Sequence, residues 1–200
     1  NQGRALAMRQ KLAEQYPGNA AYQRDLAESY LSTSEILGAR KQPASQDRNA
    51  ALALETYRRV LSINPGDHAA LEGVAASHRA IGAAKESQGK MAAAAAAYRE
   101  QSEARRHLAG LQPGDAGARM QLAEARDQEA RVLEIEGRFS EAAAIVRESI
   151  SIYEQTIAQK PNFLPARTNL TRAYRALARL EDRTGNLRAA RDGYRKALGI

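Results

Sequence analysis

The 200-residue sequence predicts an all-α fold, a solenoid of antiparallel helix pairs with about nine helices, on three observations. First, the chain holds 42 alanines, no tryptophan and only two phenylalanines, Phe139 and Phe163. Alanine loses no side-chain entropy in a helix and lets neighbouring helices approach closely. Second, Pro17, Pro65, Pro113 and Pro161 recur every 48 residues. Third, Gly89, Gly137 and Gly185 recur at the same interval in the middle of the units. Few β-branched runs argue against sheets.

Each repeated position has a physical role. Three corners read Pro17-Gly18-Asn19, Pro65-Gly66-Asp67 and Pro113-Gly114-Asp115, and the fourth reads Pro161-Asn162-Phe163. Proline stops the preceding helix, Gly or Asn tolerates the turn, and Asn or Asp caps the next helix. Nine residues after each proline come Leu26, Val74, Leu122 and Leu170, followed by Ala27, Ala75, Ala123 and Thr171. Three further on stand Tyr30, His78, Arg126 and Tyr174. Beyond the mid-unit glycine, Ala94, Ala142 and Ala190 align, then Tyr98, Val146 and Tyr194. Apolar residues at three- and four-residue spacing on both sides of a glycine describe a helical hairpin. The expected helices are 2–16, 20–38, 46–63, 68–87, 90–111, 116–136, 139–159, 164–184 and 187–199. The first unit departs from the rule: Lys41 replaces the glycine, and Gly38, Pro43 and the polar stretch 44–49 suggest an early helix end and a longer loop. Its second helix resumes with Leu52, Tyr57, Val60 and Leu61.

These motifs resemble the tetratricopeptide repeat family, whose unit has 34 residues. The family's Leu-Gly-x-x-Tyr is echoed by Leu26-Ala27-x-x-Tyr30 and Leu170-Thr171-x-x-Tyr174. Its later Gly, Ala and aromatic are echoed by Gly89, Ala94 and Tyr98, and by Gly185, Ala190 and Tyr194. Its early tryptophan position holds Gln23, Leu71, Arg119 and Arg167 instead. The extra length fits one heptad added to each helix, about 10.5 Å that leaves the inward face unchanged. The resemblance implies a right-handed solenoid in one array: the end of a preceding repeat at 1–16, repeats at 17–64, 65–112 and 113–160, and an incomplete repeat at 161–200. Similar long-helix repeats occur in bacterial multidomain proteins, including signalling proteins, and the chain is expected to be an excised part of one.

The chain lacks cysteine, which excludes disulfides, thiolate metal sites and cysteine nucleophiles. No phosphate-cradling glycine loop, helical zinc-protease motif or calcium loop is present. His68 sits at a helix start, His78 takes a slot otherwise filled by tyrosine, and His107 has no second ligand or base near it in sequence. Glu124, Asp127, Arg131 and Glu134 share a helix face, which reads as solvated i,i+3 and i,i+4 pairing rather than an acid–base pair. No enzyme activity, metal or cofactor is therefore expected. The longest apolar run, Met91–Tyr98, falls well short of the roughly 20 residues of a membrane span. The compartment is not legible.

In the family, first helices line a concave groove that holds partner proteins or peptides. Carrying over that phase gives Arg24, Glu28, Glu72, Arg79, Glu124, Asp127, Arg131, Asn169, Arg172, Arg175 and Arg179 as candidate contacts. Asn169-Leu170-Thr171 also matches a glycosylation sequon, but its leucine is in core phase. Some relatives grip a peptide carboxylate with a Lys/Asn/Arg clamp. Glu28, Glu72 and Glu124 stand where that clamp needs cations or amides, so a chaperone-tail receptor is not expected.

Charge is uneven. Residues 113–160 carry six basic and nine acidic groups, net −3, whereas 161–200 carry nine and three, net +6. Arg172, Arg175, Arg179 and Arg183 form a ridge on one helix. Two readings stay open: a grip on an acidic partner segment through forked arginine contacts, or a solvated face. A protein-interaction scaffold or sensor module is the leading expectation, with self-association through open repeat ends as an added one. Nucleic-acid binding is the alternative, suggested by a pI near 9.9. It is weakened because the arginines are not interleaved with exposed aromatics.

Overall fold

A computed structural model describes residues 2–200, with side chains from Arg4 onward; Asn1, within the expected leading partial repeat, lies outside the described residues. The described residues form nine α-helices and no strand: α1 (Gln2–Gln15), α2 (Ala20–Ala39), α3 (Pro43–Ile63), α4 (His68–Ser87), α5 (Met91–Leu111), α6 (Ala116–Ile135), α7 (Phe139–Gln159), α8 (Leu164–Arg183) and α9 (Leu187–Leu198). The chain divides into two compact units, one ending at Ala104 and one spanning Arg105–Ile200, so α5 contributes to both.

The corners work as the sequence predicts. At each proline the preceding residue's carbonyl accepts an N–H three residues on: Tyr16 from Asn19, Asn64 from Asp67, Gln112 from Asp115 and Lys160 from Phe163, at 2.9–3.1 Å. Asn19 then caps α2 by accepting from Ala21 and Tyr22 N–H, Asp67 caps α4 through Ala70, and Asp115 caps α6 through Gly117. Phe163 cannot cap, and α8 carries Pro165 in its first turn instead, where a missing N–H costs nothing. Sequence reasoning missed a further support. The side chain six residues after the proline donates back to the proline carbonyl: Gln23 to Pro17 at 3.4 Å, Arg119 to Pro113 at 2.7 Å and Arg167 to Pro161 at 3.0 Å. These are the positions that depart from the family's tryptophan.

The mid-unit turns are all one motif. Gln42, Lys90, Arg138 and Asn186 donate their N–H to Leu37, Lys85, Leu133 and Glu181 carbonyls at 2.8–3.0 Å, the six-to-one bond of a Schellman helix end. The residue before each donor has positive φ: Lys41 at 55°, Gly89 at 72°, Gly137 at 78° and Gly185 at 81°. The first unit therefore has no early helix end and no longer loop, contrary to expectation. Helix α2 runs through Gly38 to Ala39, and α3 starts at Pro43 rather than 46. Proline suits that first turn, and the polar stretch is helical because Gln46 is buried against α2. Gly38 packs closely on α3: a Cβ there would lie 2.8 Å from the Gln46 amide nitrogen and would make that side chain shift.

In the compact unit that ends at Ala104, α1 packs on α2, α2 on α3 and α3 on α4, and α2 also touches α4. Ala27, Ala53, Tyr57, Val60 and Ala70 form a buried cluster, with Tyr30, Leu31, Leu61 and Val74 against it; Leu52 of α3 points outward. Tyrosines of second helices press on glycines of α4: a Cβ on Gly73 would meet the Tyr57 ring at 2.3 Å, and one on Gly82 the Tyr98 ring at 2.7 Å. In the second unit α6 packs on α7, α7 on α8 and α8 on α9, and α6 also touches α8. Its core holds Leu133, Val132, Leu180 and the fully buried Tyr153. The slot shared by Tyr30, His78, Arg126 and Tyr174 accepts different chemistry. His78 is buried, and burial followed by the Arg58 charge lowers its pKa, against a smaller opposing pull from Glu100. Arg126, also buried, meets Glu129 at 3.2 Å and Glu148 at 3.3 Å.

Candidate functional site

The second unit gathers six of the sequence-predicted contacts into one cleft. Between α6 and α8 lies a cleft of about 520 Å3 lined by Glu124, Asp127 and Arg131 from α6 and by Arg172, Arg175 and Arg179 from α8. Its apolar floor comes from Ala130, Val146, Ala173, Ala176 and Leu180. Helical geometry explains the convergence. Residues three and four apart share a face, so α8 presents its arginines in a row while Ala173 and Leu180 are buried beneath.

The two walls carry opposite charge and hydrogen-bond across the cleft. Arg179 donates from Nε to Glu134 Oε1 at 2.6 Å and from Nη2 to Oε2 at 2.8 Å. The guanidinium's hydrogen bonds, followed by its charge once burial is overcome, hold the Glu134 carboxyl below the usual range. Asn169, buried at the edge, donates to Glu124 Oε1 at 3.1 Å. Tyr153 donates to Asp127 Oδ2 at 2.8 Å. Burial raises the Asp127 pKa, outweighing that hydrogen bond and the Arg172 charge. Desolvation, then the charge of Asp127, pushes the Tyr153 hydroxyl well above the usual phenol range. Arg183 leaves the ridge to sit 4.7 Å from the centre of the Phe139 ring. Arg172 and Arg175 remain exposed on the cleft wall with no hydrogen bond or ion pair among the described residues.

The face of Glu124, Asp127, Arg131 and Glu134 was expected to pair along its own helix. Three of these residues instead find partners on α7 and α8: Asn169, Tyr153 and Arg179. Glu134 was not among the predicted contacts, yet it lines the cleft with them. The offset that would have found it becomes visible only in the packed helices. Ties between successive first helices join residues 43 to 45 apart, one unit less about one helical turn.

In the first unit the predicted residues are dispersed. Arg24 binds the capping residue Asp67 at 2.9 Å, tying α2 to the start of α4. Arg79 meets Glu35 at 3.2 Å beside Gly38 and Gln46. Glu28 lines a separate cleft with Ala5, Leu6 and Arg9, and Glu72 is half-buried on α4. Among the described residues no group of His, Asp or Glu is placed to hold a metal ion, and no helix is long and apolar enough to cross a membrane.

No protein-family profile matches this sequence, and no curated protein does. Solved structures do share its fold. The chain is similar to BtubC (BKLC) from P. vanneervenii, with a TM-score of 0.54 at 15% identity over 98% of this chain and 86% of that one. More distant are MamA, with a TM-score of 0.44 at 19% identity over 97% of this chain and 85% of that one, and a human IFIT1 dimer with PPP-AAAA, with a TM-score of 0.34 at 19% identity over 100% of this chain and 46% of that one. The fold that carries the α6–α8 cleft is an all-α helical repeat of the tetratricopeptide-like kind.

Proposed function

We propose that this protein is an interaction scaffold or sensor module whose second unit holds an acidic segment of a partner protein in the α6–α8 cleft. The reading takes the chain as one array of long-helix repeats with a 48-residue period, supported by first helices that start at Ala20, His68, Ala116 and Leu164. One observation carries the choice of partner. Among the described residues Arg172 and Arg175 make no hydrogen bond or ion pair, although the Arg172 charge is felt by Asp127, and they stand exposed over an apolar floor, where a guanidinium fork can take a carboxylate at two points. The floor supplies area for an aliphatic side chain of the same segment.

Fluorescence anisotropy of a fluorescein-labelled, glutamate-rich peptide against the full chain tests this. Charge reversal at Arg172 and Arg175 is expected to weaken binding at least tenfold, since loss of a charge-assisted contact costs about 1.5–3 kcal/mol. Reversal of Arg188 and Arg191, exposed on α9 and outside the cleft, is the matched control. Equal losses from the two pairs would reduce the binding to general charge attraction and remove the cleft from the account.

A further inference from the structure

The cleft already contains a carboxylate bound to one of its arginines. Glu134 offers both oxygens to Arg179 Nε and Nη2 at 2.6 and 2.8 Å, the two-point fit that a ligand carboxylate makes on a guanidinium. Both residues line the cleft that holds Arg172 and Arg175. The pair is not sealed in: the Arg179 side chain is 53% exposed and that of Glu134 21%. Exposed ion pairs are weak, about 0.2–1 kcal/mol, so an incoming carboxylate can displace this one.

We infer that Glu134 acts as an internal competitor that withholds Arg179 from an acidic ligand and so sets which acidic segments the cleft accepts. The inference rests on the reading of the cleft as an acidic-segment site. With Glu134 seated, α8 offers the cleft two arginines, Arg172 and Arg175; with Glu134 displaced, Arg179 joins them. Along α8 these three are separated by three and four residues, rises of about 4.5 and 6 Å. Alternate residues of an extended peptide lie about 6.6 Å apart on one face. A segment with acids at alternate positions therefore matches the Arg175–Arg179 step, and its second acid competes directly with Glu134. A segment with a single acid is satisfied by Arg172 and Arg175 and leaves the internal pair closed.

The test measures anisotropy of two labelled peptides on the full chain, one containing Glu-Ser-Glu and one with a single Glu. Glu134→Gln is expected to tighten binding of the Glu-Ser-Glu peptide about two- to fivefold, the factor equivalent to an exposed ion pair. It should leave the single-Glu peptide nearly unchanged, and the gain should vanish in an Arg179→Gln background. Glu124→Gln, which removes another cleft carboxylate held by Asn169 rather than by arginine, controls for the general field. An equal gain from Glu124→Gln, a gain that survives Arg179→Gln, or no gain at all overturns the internal competitor while leaving wild-type binding, and the acidic-segment reading, intact. Failure of every form to bind either peptide overturns that reading and the competitor with it.

Discussion

Lys41 occupies a backbone conformation that the other units assign to glycine. Its φ of 55° matches the turn glycines at 72–81°, and its N–H and that of Gln42 still close the helix end. A side chain in the left-handed region costs roughly 1–2 kcal/mol. Lys41→Gly is therefore expected to stabilise the first unit by about 0.5–1 kcal/mol, part of the gain being offset by glycine's freedom in the unfolded chain. Urea unfolding should show a higher midpoint at unchanged slope. Asp127 is a second residue held against its preference. Burial raises its pKa above the unfolded value, so the folded chain favours the protonated form. The stability this confers is complete below an unfolded pKa of about 3.9 and is lost as pH rises through the folded value. Asp127→Asn keeps an acceptor for the Tyr153 hydroxyl and removes the buried charge. It is expected to raise the denaturation midpoint at pH 7, with the advantage over wild type shrinking toward pH 3. An advantage constant across that range would mean that charge is not its origin.

The helices owe their limits to local chemistry and their spacing to packing. Asn19, Asp67 and Asp115 start helices as their positions after Pro-Gly predict, and the Schellman ends recur with the mid-unit residue. These features are local, which is why most helix bounds were legible to within a residue. The start of α3 was not, because Pro43 and polar Gln46 read as a loop until α2 is seen to bury the glutamine. Packing reverses local preference on α4. Alanine is favoured over glycine in a helix interior by about 1 kcal/mol. Yet a Cβ on Gly73 would lie 2.3 Å from the Tyr57 ring, whereas one on Gly110 of α5 meets nothing within 4 Å. Gly73→Ala is expected to destabilise by about 1–3 kcal/mol through overpacking, and Gly110→Ala to stabilise by up to about 1 kcal/mol. Thermal melts of the two variants should move in opposite directions; a shared direction would mean that Tyr57 relaxes freely.

At the scale of the whole molecule, a net charge of +7 is concentrated in residues 161–200, which carry +6. Such a surface attracts polyanions through screened forces that weaken beyond about 10 Å at 0.1 M salt. Single-stranded RNA is therefore expected to bind weakly at low salt and to be released by about 150 mM, since among the described residues no row of exposed aromatics offers base stacking. Retention of RNA at that salt, in a filter-binding titration, would favour the nucleic-acid alternative. The acidic peptide should persist further because its contacts are forked and lie over an apolar floor.

By itself the sequence determined the corners, the three glycine turns and the face of α8 on which Arg172, Arg175 and Arg179 stand, because capping, turn geometry and helical spacing act within a few residues. Only the tertiary structure decided which of those charges stay available. Arg179 is taken by Glu134, 45 residues away, and Arg24 by Asp67, 43 residues away. Such pairings depend on how closely successive first helices approach and on which rotamers their side chains adopt, and no spacing along a single helix records either.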